Sequence, residues 1–521
     1  MTLPNGVVHL RQIFETHAQR ACLIDGATGR ELSYAQVARD TLGLATVLAS
    51  HGVTRGDKIC FVADNSINLT YLFWATWHCG ATIVPLNPQL SKIRLVEIIS
   101  AVTPKLVLIE QQFQGQIEGL TYGATGGPSV LCFDANGEDC DHDPLDMTEA
   151  LKAAPLGDDI LTHLRGGDLF MMVFTSGSTA APKGVMLSLD RLLGNELMFC
   201  AALGIDHGSR LLNMFPMSYL AGTHNTFLLP ASVGASVVIS QPLGGANLFG
   251  FWDMIRERGI SVLWFTATML TMILRVDDSA DMSWVRDQVK LGIVGMAPLQ
   301  PAVQQQFEER YGFALLENYA LSETAFISSH LPAFETDARS KGRILKGVTV
   351  EVRAEDATIL ADGEIGEIFV KTPYQMLGYL SAAEADLRQI KPDGFYTGDI
   401  GYVQSDELYL TGRKKDLIIR GGVNIAPSLV ENEVVKVPEV QEAIVFGQTN
   451  DVYGEEVAAV IALTPGVEDF TQKKLREALK GKLPYFQQPK SVLFIHERLP
   501  RGLTGKIDKK ASQQLLADAK G

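Results

Sequence analysis

Phe174-Thr175-Ser176-Gly177-Ser178-Thr179-Ala180-Ala181-Pro182-Lys183-Gly184 is the stretch on which the fold of this chain turns. Leu169-Phe-Met-Met-Val173 runs directly into it, an apolar run that predicts a buried strand. A strand that empties into hydroxyls, glycines and one lysine suits a polyanion: backbone N–H groups and hydroxyls wrap phosphate oxygens while the lysine supplies charge. An ordinary Gly/Ser turn has the same composition. A Walker A loop is excluded, because no Gly-Lys-Ser/Thr closes the run.

To the N-terminal side, residues 1–165 alternate helix and strand patterns. Val37–His51 and Gln89–Val102 carry helical spacing; Lys58–Ala63 and Lys105–Glu110 are short apolar strands. Such alternation predicts parallel sheets covered by helices. Thr70–Leu86 is apolar but shorter than the roughly 20 residues that span a bilayer, and Gly80 and Pro85 break it. It reads as a buried helix over Tyr71–Cys79 followed by a strand over Ala81–Pro85. To the C-terminal side, Leu189–Leu203 reads as a helix, and Ile260–Thr268 and Leu291–Leu299 as strands with turns. From Gly347 the pattern becomes alternating with frequent turns, which predicts a small antiparallel β unit. Beyond Gly412 the chain is charged and lysine-rich, and short strands alternate with helices as in a compact α+β domain.

A chain of 521 residues exceeds one hydrophobic core. Its 46% hydrophobic and 20% charged residues make an ordinary globular composition, and a net charge of −15 argues against a nucleic-acid binder. Six scattered cysteines form neither a CxxC pair nor a disulfide framework and point to a reducing compartment. No basic segment followed by an apolar core opens the sequence, so the expected location is cytoplasmic.

Thr-Ser-Gly-Ser-Thr-Ala-Ala-Pro-Lys resembles the phosphate loop of the AMP-forming adenylating enzymes: acyl-CoA synthetases, adenylation domains and luciferases. Further motifs of that superfamily recur in order. The resemblance implies a large N-terminal domain of parallel-sheet α/β subdomains plus a small β unit (1–412), then a small mobile α+β domain (413–521) with a hinge near Lys415. It assigns Thr175, Ser176, Gly177, Ser178, Thr179 and Lys183 to ATP phosphates. In Leu316-Glu-Asn-Tyr-Ala-Leu-Ser-Glu-Thr it gives Ser322 a phosphate contact, makes Glu323 the Mg²⁺ ligand, and sets Asn318, Tyr319 and Ala320 beside the adenine. A magnesium ion taking one carboxylate plus phosphate oxygens is chemically sound. Read alone, Ser-Glu could equally start a helix.

Gly295, Ala297 and Pro298 match the adenine-side loop, and Asp399, in Gly394-Phe-Tyr-Thr-Gly-Asp, the ribose carboxylate, with Arg413 a second ribose contact. Thr-Gly-Asp is also a plausible hairpin turn. Lys506, in Leu499-Pro-Arg-Gly-Leu-Thr-Gly-Lys-Ile-Asp, matches the catalytic lysine that stabilises charge on the α-phosphate and the acid. Gly421 and Gly422 match a loop facing the thiol, although two glycines also make a turn. Tyr219, His224, Asn225, Phe265, Met296 and Ala320 fall on positions of the acid pocket, a mainly apolar set that fits a fatty or aromatic acid. The implied chemistry is ATP- and Mg²⁺-dependent acyl-adenylate formation, then transfer to the thiol of CoA, with a carrier protein's phosphopantetheine as the alternative acceptor. Ala180 and Ala320 stand where the superfamily has glycines, and alanine costs free energy at such a site if the backbone needs a positive φ.

Overall fold

The computed structural model describes residues 3–117, 128–134, 142–154, 163–175, 183–245, 247–279, 281–297, 299–335, 337, 339–381, 383–501 and 507–519, without the side chains of Thr175 and Ala385. The chain forms two compact units: one of Met1–Ala338, Gly342–Thr349 and Lys371–Phe395, the other of Arg339–Lys341, Val350–Val370 and Tyr396–Gly521. The second unit thus takes in most of the small β region as well as residues 413–521.

In the first unit, one sheet runs Gly378–Leu380, Lys183–Ser188, Leu169–Thr175, Thr82–Leu86, Lys58–Val62, Leu106–Glu110, Ser129–Phe133, Asp143–Leu145. From Leu169–Thr175 onward its neighbours are parallel. Lys183–Ser188 is antiparallel to both of its neighbours. The apolar run before the quoted loop is therefore an interior strand, and the chain returns beside it at Lys183. A second sheet runs Arg343–Ile344, Ala325–Ser329, Leu315–Leu321, Leu291–Val294, Val262–Phe265, Arg210–Asn213, Ser236–Ile239, Ala21–Asp25, Glu31–Ser33, parallel in its middle. The expected α/β class is observed.

The apolar stretch after Thr70 folds as read. Helix Ile67–His78 buries every residue from Leu69 to His78, and strand Thr82–Leu86 is buried throughout. Ser66 caps the helix by accepting from the Leu69 N–H, an interaction worth about 1 kcal/mol. Each buried aromatic of this helix contributes on the order of 2 kcal/mol of apolar transfer free energy. No helix among the described residues is long and apolar enough to cross a membrane. Helix Leu189–Leu203 has the expected bounds. One expectation shifts: the strand Val262–Phe265 feeds a helix, Ala267–Val276, capped by Thr266, and the run after Tyr219 contains a π-helix, Ala221–Leu228.

No disulfide joins the described cysteines; Cys22, Cys60, Cys132 and Cys200 are buried and Cys79 partly so. Burial pushes the Cys79 thiol up to about 12 and Cys22, Cys60 and Cys200 upward as well.

In the second unit, strands Gly394–Gln404 and Glu407–Arg413 form an antiparallel hairpin beside Gly366–Lys371. Its turn is Ser405–Asp406, both at positive φ, the conformation of a type I′ loop. Thr397-Gly398-Asp399 lies within the strand and is not a turn. The remainder is a sheet in which Gly454–Leu463 pairs with both Val440–Asn450 and Ser491–Ile495, packed against helices Pro427–Val434 and Gln472–Leu479. This is the α+β arrangement expected from the sequence.

Candidate active site

Ser176, Gly177, Ser178, Thr179, Pro298 and Lys506 lie outside the described residues, so the geometry begins at the frame around the phosphate loop. Thr175 and Lys183 are partners across the antiparallel pair of strands, which fixes where the loop leaves and re-enters the sheet. Lys183 opens its strand; Tyr379 lies on the neighbouring strand, opposite Val185. The Lys183 Nζ is 3.1 Å from Asp386 Oδ1, 3.3 Å from the Tyr379 hydroxyl and 3.5 Å from Glu323 Oε1. The Tyr379 hydroxyl donates to Glu323 Oε1 at 2.8 Å, and its ring lies 4.3 Å beneath the ammonium. Burial, then the Glu323 and Asp386 carboxylates, hold the Tyr379 phenol well above its ordinary range, so it stays a donor.

Glu323 sits in the turn between strands Leu315–Leu321 and Ala325–Ser329, with Ser322 beside it, both half-buried. Its backbone carbonyl accepts from Met376 N–H at 2.8 Å, tying the turn to the segment that leads into Tyr379. The Ser-Glu pair starts no helix. Asn318 and Tyr319 are buried on the first of these strands and Ala320 is exposed. The Asn318 amide donates to Val294 O at 2.9 Å and lies against Gly295, where an added Cβ would sit 3.1 Å from it. A Cβ at Gly295 would need the Asn318 amide to give by a few tenths of an ångström. Met296, next to it, takes φ +70, a left-handed conformation that costs a non-glycine residue free energy and clusters at functional sites. Ala297 is half-buried. Ala320 does not adopt a positive φ, so replacement of the expected glycine carries no backbone cost there.

Among the acid-pocket residues, Tyr219 is half-buried and its hydroxyl accepts from the Asn87 amide at 2.9 Å. His224 is buried on the π-helix, its ring tilted against Phe326 at 5.2 Å, and meets Asn225 Oδ1 through Nδ1 at 3.0 Å. Its Nε2 lies 3.4 Å from Glu196 Oε1, and neither atom makes a closer hydrogen bond among the described residues. Burial raises the Glu196 carboxyl far above its usual range and lowers the His224 imidazole to about 4, so the pair is neutral.

In the second unit, Asp399 and Arg413 are cross-strand partners, with Arg413 Nε donating to Asp399 Oδ1 at 3.0 Å. Asp399 is buried and Arg413 exposed. Lys415 is exposed in the short helical turn Lys414–Asp416. Gly421 and Gly422 form the two-residue turn between strands Ile418–Arg420 and Val423–Ile425, both at positive φ. Sequence reading missed Glu196, Tyr379 and Asp386; Gly378-Tyr379-Leu380 was the available signal for a strand end, and nothing local marked the carboxylates.

The AMP-binding enzyme family model matches residues 10–380, and the AMP-binding enzyme C-terminal domain model matches 429–506. The chain belongs to the AMP-binding enzyme family. It is 27% identical over 493 residues to an indoleacetate–CoA ligase of Aromatoleum aromaticum, covering 94% of each chain. It is also 27% identical to the long-chain-fatty-acid–CoA ligase FadD13 of Mycobacterium tuberculosis over 96% of each. Among solved structures it resembles ATP-bound MatB from Rhodopseudomonas palustris with a TM-score of 0.86 at 26% identity, over 99% of this chain and 100% of that one. The expectation of an AMP-forming acid–thiol ligase with a large and a small domain is met.

Proposed function

We propose that this family member joins a carboxylic acid, fatty or aromatic, to the thiol of CoA in two steps driven by ATP. In the first, an acid carboxylate oxygen attacks the α-phosphorus of ATP, the α–β bond breaks, and pyrophosphate leaves an acyl-adenylate. In the second, the CoA sulfur attacks the acyl carbon, the thiol proton is lost, and AMP departs.

The observation that carries this reading is the group Lys183, Glu323 and Tyr379 at the mouth of the phosphate loop. A lysine able to meet phosphate oxygens and a half-buried carboxylate beside it suit a nucleotide triphosphate with its metal. Glu323 is one hard oxygen donor, which fits Mg²⁺, an ion that takes one or two carboxylates and otherwise phosphate and water oxygens. When bound, the metal neutralises phosphate charge. We assign Asp399 and Arg413 to the ribose: an ionised carboxylate held by a guanidinium is a strong acceptor for vicinal hydroxyls. Lys506 is assigned to the developing charge at the α-phosphate, Lys415 to the hinge between residues 1–412 and 413–521, and the Gly421–Gly422 turn to the thiol. The mainly apolar acid-pocket residues, and the ligases for indoleacetate and long-chain fatty acids among its relatives, support an apolar acid. The absence of a disulfide and of a membrane helix among the described residues agrees with cytoplasmic residence.

The test is a mass-spectrometric assay with ATP, Mg²⁺, CoA and a panel of fatty, aryl and amino acids. AMP together with one class of acyl-CoA is the expected outcome. ADP in place of AMP, or no nucleotide turnover with any acid, refutes the reading.

A further inference from the structure

The Lys183 ammonium has three protons, and three acceptors surround it: Asp386 Oδ1, the Tyr379 hydroxyl oxygen and Glu323 Oε1. Its side chain is 13% exposed. Two of its protons are therefore engaged, and its charge is compensated, before any phosphate arrives. The three acceptors are not equivalent. Glu323 also receives the Tyr379 proton at 2.8 Å, so these two remain hydrogen-bonded to each other if the lysine leaves. Asp386 sits on the short helix Glu384–Leu387, and Lys183 is the side chain it meets. On its own helix Glu384 is paired with Arg388.

We propose that Asp386 is a positioning residue that sets the affinity for ATP: it is the counter-ion that parks Lys183 beside Glu323, and nucleotide must exchange it for phosphate oxygens. This rests on the assignment of Lys183 to the ATP phosphates. Any contact made in the free enzyme and given up on binding lowers apparent affinity by the fraction of molecules that hold it. Half-buried charge-assisted contacts of this kind shift such equilibria by roughly three- to tenfold. The tyrosine contact works the other way. It keeps Glu323 in place while the lysine moves, so the metal-binding carboxylate does not follow its former partner.

The experiment is calorimetric titration of the full-length enzyme with Mg²⁺·ATP, in the absence of acid and CoA, for wild type, Asp386→Asn, Asp386→Glu, Lys183→Ala and the double variant Lys183→Ala/Asp386→Asn. Asp386→Asn is expected to lower the Kd for ATP by roughly three- to tenfold, while Asp386→Glu, which keeps the charge, stays near wild type. Adenosine, which carries no phosphate, binds all variants alike. In the Lys183→Ala background, Asp386→Asn has no effect, because its partner is gone. Unchanged or weaker ATP binding in Asp386→Asn overturns the proposal. So does equal tightening in the Lys183→Ala background, which would mean direct repulsion between Asp386 and the triphosphate. If Lys183→Ala itself leaves ATP binding unchanged, the phosphate assignment falls, and the proposed function's central observation with it. A merely structural Asp386 predicts lost thermal stability with no change in ATP affinity.

Discussion

Glu196→Gln offers a quantitative test of the buried pair beside the acid-pocket residues. In the unfolded chain Glu196 titrates near pH 4.3 and His224 near 6.5. In the fold, burial keeps the carboxyl protonated far above its ordinary range and the imidazole neutral down to about pH 4. The folded pair therefore holds one proton. Between about pH 4.5 and 6.5 the unfolded chain also holds one, on His224, so stability is level there. Above 6.5 the unfolded histidine loses its proton while the folded pair keeps one. Stability then falls as pH rises, by up to about 1.4 kcal/mol per pH unit while the buried carboxyl keeps its proton. In Glu196→Gln the folded site binds no proton above pH 6.5, so its contribution is flat. Urea unfolding of both proteins at pH 6.5, 7.5 and 8.5 is the assay. All five tryptophans lie in the first unit, so their fluorescence reports on the unit that contains the pair. The difference in urea midpoint between variant and wild type should shift with rising pH in favour of the variant, by a few tenths of a molar per pH unit at most for a unit of this size. Other titrating groups are common to both proteins and cancel. A midpoint difference that is the same at all three pH values would refute the idea that the fold retains this proton.

Three further outcomes are expected. Lys506→Ala should abolish adenylate formation while largely sparing thioester formation from a supplied acyl-adenylate; equal loss of both half-reactions in separate assays would reject the role given to this lysine. Asp399→Ala should raise the KM for ATP by about 10- to 100-fold, the loss of one or two charge-assisted hydrogen bonds, with kcat changed less; steady-state kinetics in ATP decide it. Gly342→Ala places a Cβ onto the Ser329 backbone at φ +83, and should destabilise the first unit by more than about 3 kcal/mol, read as a large drop in urea midpoint.

Where one local property decides an element, the sequence announced it. Leu189–Leu203 has helical spacing and ends at Gly204, which takes the left-handed conformation at the C-cap, so its bounds could be read directly. Ser491–Ile495 is a short apolar run and was equally plain. The hairpin at Gly394–Arg413 shows the opposite. Thr-Gly-Asp has the stronger turn composition, yet the turn forms at Ser405–Asp406, because pairing Asp399 with Arg413 extends the strand through the glycine. The site followed the same division. Lys183 and Glu323 were found through the motifs that contain them. Asp386 and Tyr379 meet Lys183 across about 200 positions, as do Glu196 and His224 across 28, and such contacts leave no local pattern.

All six cysteines of the chain precede residue 201, and the second unit has none. Four of the described thiols are sealed on strands and helices of the first unit, and burial holds those of Cys22, Cys60 and Cys200 protonated, so they cannot be alkylated until that region opens. The unmodified protein thus carries its own clock. Mass-resolved thiol labelling times the breathing of one half of the molecule at Cys22, Cys60, Cys132 and Cys200 separately, while the other half stays silent, and a bound nucleotide or acid that steadies the first unit will be read as a slowed clock with no engineered probe at all.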